Sequence, residues 1–153
     1  MITKVRVFSK DQMIDMLHEK KLMDTVRGNK VCVISIVDSD ADELLPEHQN
    51  VLTLWFDDIS PRAARIASAI DRPVYAMDKV DAENVLHYLH YWNKDDQYKM
   101  QLFIHCSAGV CRSGAVGRFA TEYLGLDEAE FHKNNPNILP NKWVEDLLWS
   151  EAK

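Results

Sequence analysis

Cys106 and Arg112 stand five residues apart, with the small residues Ser107-Ala108-Gly109-Val110-Cys111 between them. His105 precedes the cysteine, and Ser113-Gly114 follow the arginine. A thiol is a weak nucleophile until it becomes a thiolate. Backbone N–H groups converging from a tight loop, together with the positive end of a helix, favour both the thiolate and a bound oxyanion. The small side chains of Ser107, Ala108 and Gly109 let the backbone of residues 107–112 close around a tetrahedral phosphoryl group. Gly109 suits a dihedral that a Cβ would penalise. Arg112 supplies a planar fork for two phosphoryl oxygens and positive charge for the transition state. The Ser113 hydroxyl is near enough in sequence to donate to the Cys106 sulfur. His105, at the end of an apolar run, is expected to hold the loop from behind. The chemistry these residues permit is attack of a thiolate on a bound phosphoryl group.

Such a loop needs a strand before it and a helix after it. Gln101–Ile104 reads as a buried strand and Ser113–Leu124 as a helix with Val116, Phe119, Ala120 and Tyr123 on one face. Elsewhere, strand-like runs at Lys4–Phe8, Val31–Val37 and Val51–Phe56 mostly alternate with helical ones. Ser9 is placed to cap a helix over Asp11–Leu22, and Ser60-Pro61 to open one through Ile70. Asp81 is placed to cap a helix over Ala82–Asn93. Short helices follow from Asp127 and over Lys142–Trp149. The pattern predicts an α/β fold: a central, mostly parallel sheet of about four to five strands flanked by helices. In such sheets ligands sit beyond the carboxyl ends of the strands. Asp57-Asp58 and His105–Arg112 both follow strands, and so are expected at one edge.

At 153 residues with 46% apolar content, the chain suits a single domain over 1–153. The net charge of −6 argues against nucleic-acid or anionic-membrane partners. The longest apolar run, Val31–Val37, is far too short to span a bilayer. Three cysteines without scaffold spacing suit a reducing, cytoplasmic setting. Oligomeric state leaves no mark in the sequence. His87, His90 and Glu83 fall opposite the apolar stripe of their helix, as a solvated face does, and no metal or other cofactor is expected. Cys32, inside a β-branched run, reads as core.

The stretch His105–Ser113 resembles the HCxxGxxR[ST] signature of the cysteine-dependent protein tyrosine phosphatase superfamily. Its place near the C-terminus resembles the compact, dual-specificity-like members. Asn135-Pro136-Asn137 followed by Pro140-Asn141 is similar to a stretch in atypical bacterial or phage-type members. The resemblance covers roughly residues 50–140. It implies a metal-independent, two-step phosphatase with Cys106 as nucleophile and a phosphocysteine intermediate. Residues 107–111 and Arg112 would bind phosphate, and the substrate would be a phosphorylated protein or peptide. It also implies an aspartate on a separate loop that protonates the leaving group. Leu54-Trp55-Phe56-Asp57-Asp58-Ile59 fits with Asp58, with Asp57 the alternative and Asp78 open as well; Asp81 is better explained as a helix cap. Asp58 stands further from the cysteine than in most compact members, which marks residues 60–79 as an insertion.

Cys111 resembles the second cysteine of low-molecular-weight tyrosine phosphatases, which implies a reversible disulfide with Cys106; the plain alternative is a small side chain lining the loop. Substrate class stays open among phosphoproteins, phosphoinositides or RNA 5′ phosphates, an arsenate or disulfide reductase, and a phospho-binding module without turnover. The five uncharged inner residues favour phosphoproteins, because loops for highly charged headgroups tend to carry lysine or histidine.

Overall fold

The computed structural model describes residues 1–19, 21–70 and 73–153. Four strands, β1 (Ile2–Phe8), β2 (Val31–Val37), β3 (Val51–Trp55) and β4 (Met100–His105), form one sheet in the order β1-β4-β2-β3. Each adjacent pair is parallel. The sheet therefore has four strands among the described residues, at the low end of the expected four to five, and is wholly parallel. Among the described residues seven helices accompany it: α1 (Lys10–His18), α2 (Lys21–Arg27), α3 (Pro61–Ile70), α4 (Lys79–Asn93), α5 (Arg112–Tyr123), α6 (Glu128–Asn134) and α7 (Lys142–Glu151).

Period-two alternation along β2 sends its residues into two cores. Cys32, Ile34 and Ile36 join Val85, Leu89, Val116, Phe119 and Leu148 under α4, α5 and α7. Val31 and Val33 join Met13, Leu22 and Val26 under α1 and α2. With both faces covered, β2 is buried at every position, which explains its unbroken apolar run.

The helix over Asp11–Leu22 is instead two helices, α1 and α2, with Lys20 between them outside the described residues. Ser9 does cap α1, in a reciprocal capping box with Gln12. Asp81 is not the cap of α4: the helix starts earlier, at Lys79, and Asp78 caps it. Asp78 Oδ1 accepts from the Asp81 amide at 2.9 Å, and Asp81 Oδ2 accepts from the Asp78 amide at 3.1 Å. Two aspartates three residues apart both carry an N-cap signature; the outer one takes the position, and the inner one closes the capping box from N3.

Candidate active site

β4 lies between β1 and β2, so its carboxyl end opens at the middle of the sheet edge. The chain turns there through residues 106–111 and enters α5 at Arg112. Gly109 has φ 72°, and a Cβ on it would stand 2.6 Å from the Phe8 carbonyl carbon and the Ser9 nitrogen. Both the dihedral and the close approach of the β1–α1 connection require glycine there. The loop is tied down on both sides. The Lys10 amide donates to the Ser107 carbonyl (2.9 Å), Leu139 to Val110 (3.1 Å) and Asn141 to Cys111 (3.0 Å). Asn135, buried, accepts from the Val7 amide at 2.8 Å and anchors the stretch that carries residues 138–141.

Cys106 is buried, with its Sγ 3.0 Å from the Ser113 hydroxyl. Burial alone would push the thiol up. The Ser113 hydroxyl and the amides of Ser113, Val110 and Gly109 outweigh it and hold the pKa below the ordinary thiol value. At Cys32 burial outweighs the hydrogen bonds around it, the one with Tyr88 included, and pushes the pKa up to about 12. His105 is buried behind the loop, Nε2 2.5 Å from the Ser35 hydroxyl on the neighbouring strand and Nδ1 3.3 Å from the Cys106 carbonyl. Burial lowers its pKa to about 4, so it is neutral at physiological pH.

Arg112 is buried. Its Nη1 donates to Asp38 Oδ1 and to the Phe56 carbonyl, both at 2.8 Å, and its Nη2 to the Ser107 hydroxyl at 3.1 Å. A guanidinium has five N–H donors. These contacts use both hydrogens of Nη1 and one of Nη2. They leave the Nε–H and one Nη2–H as donors for phosphoryl oxygens. Asp38, just beyond β2, was not among the sequence candidates. Its only signal there was its place after a strand, shared with Asp57 and Asp58.

The two aspartates after β3 have different surroundings. Asp57 Oδ1 accepts from the Ser39 amide (3.0 Å), and Oδ2 from the Ser39 hydroxyl (2.6 Å) and the Tyr75 amide (2.9 Å). Partial burial would raise its pKa, but these bonds and the Arg112 charge lower it below the usual carboxylate range. Both oxygens are thus committed to holding the β2–β3 and α3–α4 connections together. Asp58 is exposed. Its Oδ1 accepts from Asn141 Nδ2 at 2.8 Å, and its carboxylate also interacts with the Cys111 thiol. Asp58 therefore stands against the Cys111–Arg112 end of the loop. Asp78 and Asp81 are joined to each other in the cap of α4.

Cys111 lines the loop as a free thiol, as do Cys32 and Cys106 in their places. Partial burial, then Asp58, raises its pKa. His90 of the candidate histidine group pairs with the Tyr123 hydroxyl at 2.7 Å. Arg65 lines a cavity of about 900 Å³ with Trp55, Met77, Trp143 and the two Asp57 partners Ser39 and Tyr75. A second cavity, of about 280 Å³, is lined by Cys106 and Ser107 together with Lys10, Asp38, Asp42 and Glu43.

No protein-family model matches the sequence, and no curated protein matches it. Solved structures do match. The Cydia pomonella PTP-2 phosphatase aligns with 98% of this chain and 85% of its own at 21% identity and a TM-score of 0.53. Human DUSP28 aligns with 96% and 90% at 15% identity and a TM-score of 0.51. The chain has the fold of the dual-specificity-like cysteine phosphatases. At these identities the likeness is one of fold, and what the site does has to be argued from its own residues.

Proposed function

We propose that the protein is a phosphatase that hydrolyses phosphotyrosine in proteins, and phosphoserine or phosphothreonine where the site admits them, through a phosphocysteine intermediate. The observation that carries this reading is the pairing of a Cys106 thiol held below its ordinary pKa with Arg112 N–H donors left for a phosphoryl group. In the first step the Cys106 thiolate attacks phosphorus. An S–P bond forms, the P–O bond to the leaving group breaks, and Asp58 gives that oxygen its proton. In the second step the Asp58 carboxylate takes a proton from water, the water oxygen attacks phosphorus, and the S–P bond breaks. The Ser113 hydroxyl stabilises the departing thiolate, and the amides of residues 107–112 with Arg112 hold the phosphoryl oxygens. Asp58 suits the acid role better than Asp57, because both Asp57 oxygens are bound to Ser39 and Tyr75 and its proton is held only weakly.

Phosphoprotein substrates are favoured over phosphoinositides and RNA 5′ phosphates. The five residues inside the loop are uncharged, and Asp38, Asp42 and Glu43 outnumber Lys10 in the lining of the smaller cavity with Cys106. Additional phosphates beside the reacting one would meet carboxylates there. The test is a panel of phosphotyrosine peptide, phosphoserine peptide, phosphoinositide and RNA 5′-triphosphate. Turnover is expected on the peptides, with phosphotyrosine fastest. Faster release from the lipid or RNA overturns the substrate assignment, and tight peptide binding without turnover replaces the enzyme by a phospho-binding module.

A further inference from the structure

We propose that Asn141 is a positioning residue for Asp58, one that favours Oδ2 as the carboxyl oxygen carrying the proton in transit; this rests on the reading of Asp58 as the acid. Asn141 sits where three parts of the site meet. Its amide donates to the Cys111 carbonyl at the end of the phosphate loop (3.0 Å), and its carbonyl accepts from Glu145 in the first turn of α7 (3.2 Å). Its side-chain Oδ1 accepts from the Val144 amide at 3.1 Å, capping α7, and its Nδ2 donates to Asp58 Oδ1 at 2.8 Å.

The orientation of the side-chain amide is fixed by chemistry. The Val144 N–H can only donate, so the oxygen of Asn141 must face it, and the NH₂ must face Asp58. The carbonyl oxygen of a carboxyl group accepts better than its hydroxyl oxygen, so the bond favours Asp58 Oδ1 as the oxygen without hydrogen. A proton on Asp58 then favours Oδ2. The same residue holds the loop carbonyl next to Arg112 and the acid, so the distance between phosphate loop and acid is set through one side chain. A displaced acid costs most when the leaving group most needs its proton.

Asn141→Ser is the discriminating variant, because serine caps a helix about as well as asparagine but has no amide to offer Asp58. The measurement is kcat/KM on phenyl phosphate and on p-nitrophenyl phosphate, whose leaving group needs little protonation. Wild type, Asn141→Ser, Asp58→Ala and the double variant are compared. The loss in Asn141→Ser is expected to be about ten-fold larger on phenyl phosphate than on p-nitrophenyl phosphate, and the double variant to lose no more than Asp58→Ala alone. Equal losses on the two substrates, or additive losses in the double variant, mean that Asn141 serves only the fold and overturn the proposal. If Asp58→Ala itself shows no dependence on the leaving group, the acid assignment falls and the role of Asn141 with it. If Asp58→Ala shows it and Asn141→Ser does not, only the role of Asn141 falls.

Discussion

Arg112 and Asp38 form an ion pair of 2.8 Å in which the arginine side chain is almost wholly buried and the aspartate is half exposed. A buried guanidinium without an anion would be costly, and Asp38 supplies that anion. The contact uses only Nη1, so the same carboxylate holds the guanidinium without taking the Nε–H or an Nη2–H. Removing Asp38 is expected to loosen this orientation. Asp38→Ala should lower kcat/KM on p-nitrophenyl phosphate by about ten-fold or more and weaken inhibition by inorganic phosphate, whereas Asp38→Asn, which keeps an acceptor, should lose less. Identical kinetics in Asp38→Ala and wild type would remove Asp38 from the site.

The three cysteines differ in their environments, which sets an order of reactivity. Cys106 is held below the ordinary thiol value, Cys111 is raised, and Cys32 is pushed up to about 12. Iodoacetate at pH 6 to about 7 should therefore label Cys106 first and leave Cys32 unmodified until the protein unfolds. Peptide mapping checks this. Labelling of Cys111 ahead of Cys106 would contradict the thiolate assignment. Under peroxide, intact mass then reports whether Cys111 captures an oxidised Cys106, by loss of two hydrogens in wild type but not in Cys111→Ser.

Neighbouring aspartates should separate cleanly by assay. Asp57 has a pKa below that of an unfolded aspartate, so it contributes stability that is complete above the unfolded value of about 4. That stability is lost as pH falls through the lower folded value. Asp57→Ala should cost about 1–2 kcal/mol near neutral pH through its lost hydrogen bonds, and less in acid. Urea melts at two pH values measure it. Asp58→Ala, an exposed change, should leave the melt nearly unaltered and lower kcat most on poor leaving groups. A melt that shifts more for Asp58→Ala would reverse the two roles.

The acidic cap of α4 carries a stability cost. Burial, together with the Asp78 charge, raises the Asp81 pKa to about 6. Its folded value lies above its unfolded one, so the stability it adds is present below about pH 4 and lost as pH rises through 6. Asp81→Asn keeps an acceptor for the Asp78 amide and removes the like charge. It should stabilise the protein at pH 7.5 by roughly 1 kcal/mol, a figure reduced for the partial exposure of the group, with no gain at pH 4. Calorimetry at the two pH values reads this. A loss at pH 7.5 would show that the carboxylate charge at the helix N-terminus outweighs its repulsion.

What could be read in the sequence was what lies close together along the chain. The phosphate loop with Cys106, Arg112 and Ser113 is one contiguous segment, so its residue types and spacing carry its geometry. Strand and helix positions followed from periodicity, except where two aspartates offered the same cap and where one helical pattern became α1 and α2. Asp38 and Asn141 were not legible as site residues. Asp38 reaches Arg112 across 74 positions and Asn141 reaches Asp58 across 83. Their contacts depend on the strand order β1-β4-β2-β3, which sets the end of β2 beside β4 and the end of β3 one strand further out. No local pattern encodes that order. The difference between Asp57 and Asp58 was hidden for the same reason: it depends on Ser39, Tyr75 and Asn141, none of them adjacent in sequence.

The central claim is that Cys106 carries the phosphoryl group between the two steps. Wild type and Cys106→Ser are each mixed with a phosphotyrosine peptide and quenched in acid within a turnover, and the peptide containing residue 106 is weighed. The expected result is one added phosphoryl group on Cys106 in wild type, none in Cys106→Ser, and no turnover by the variant. Turnover by Cys106→Ser at the wild-type rate, or wild-type turnover with the phosphoryl group on another residue, would contradict it.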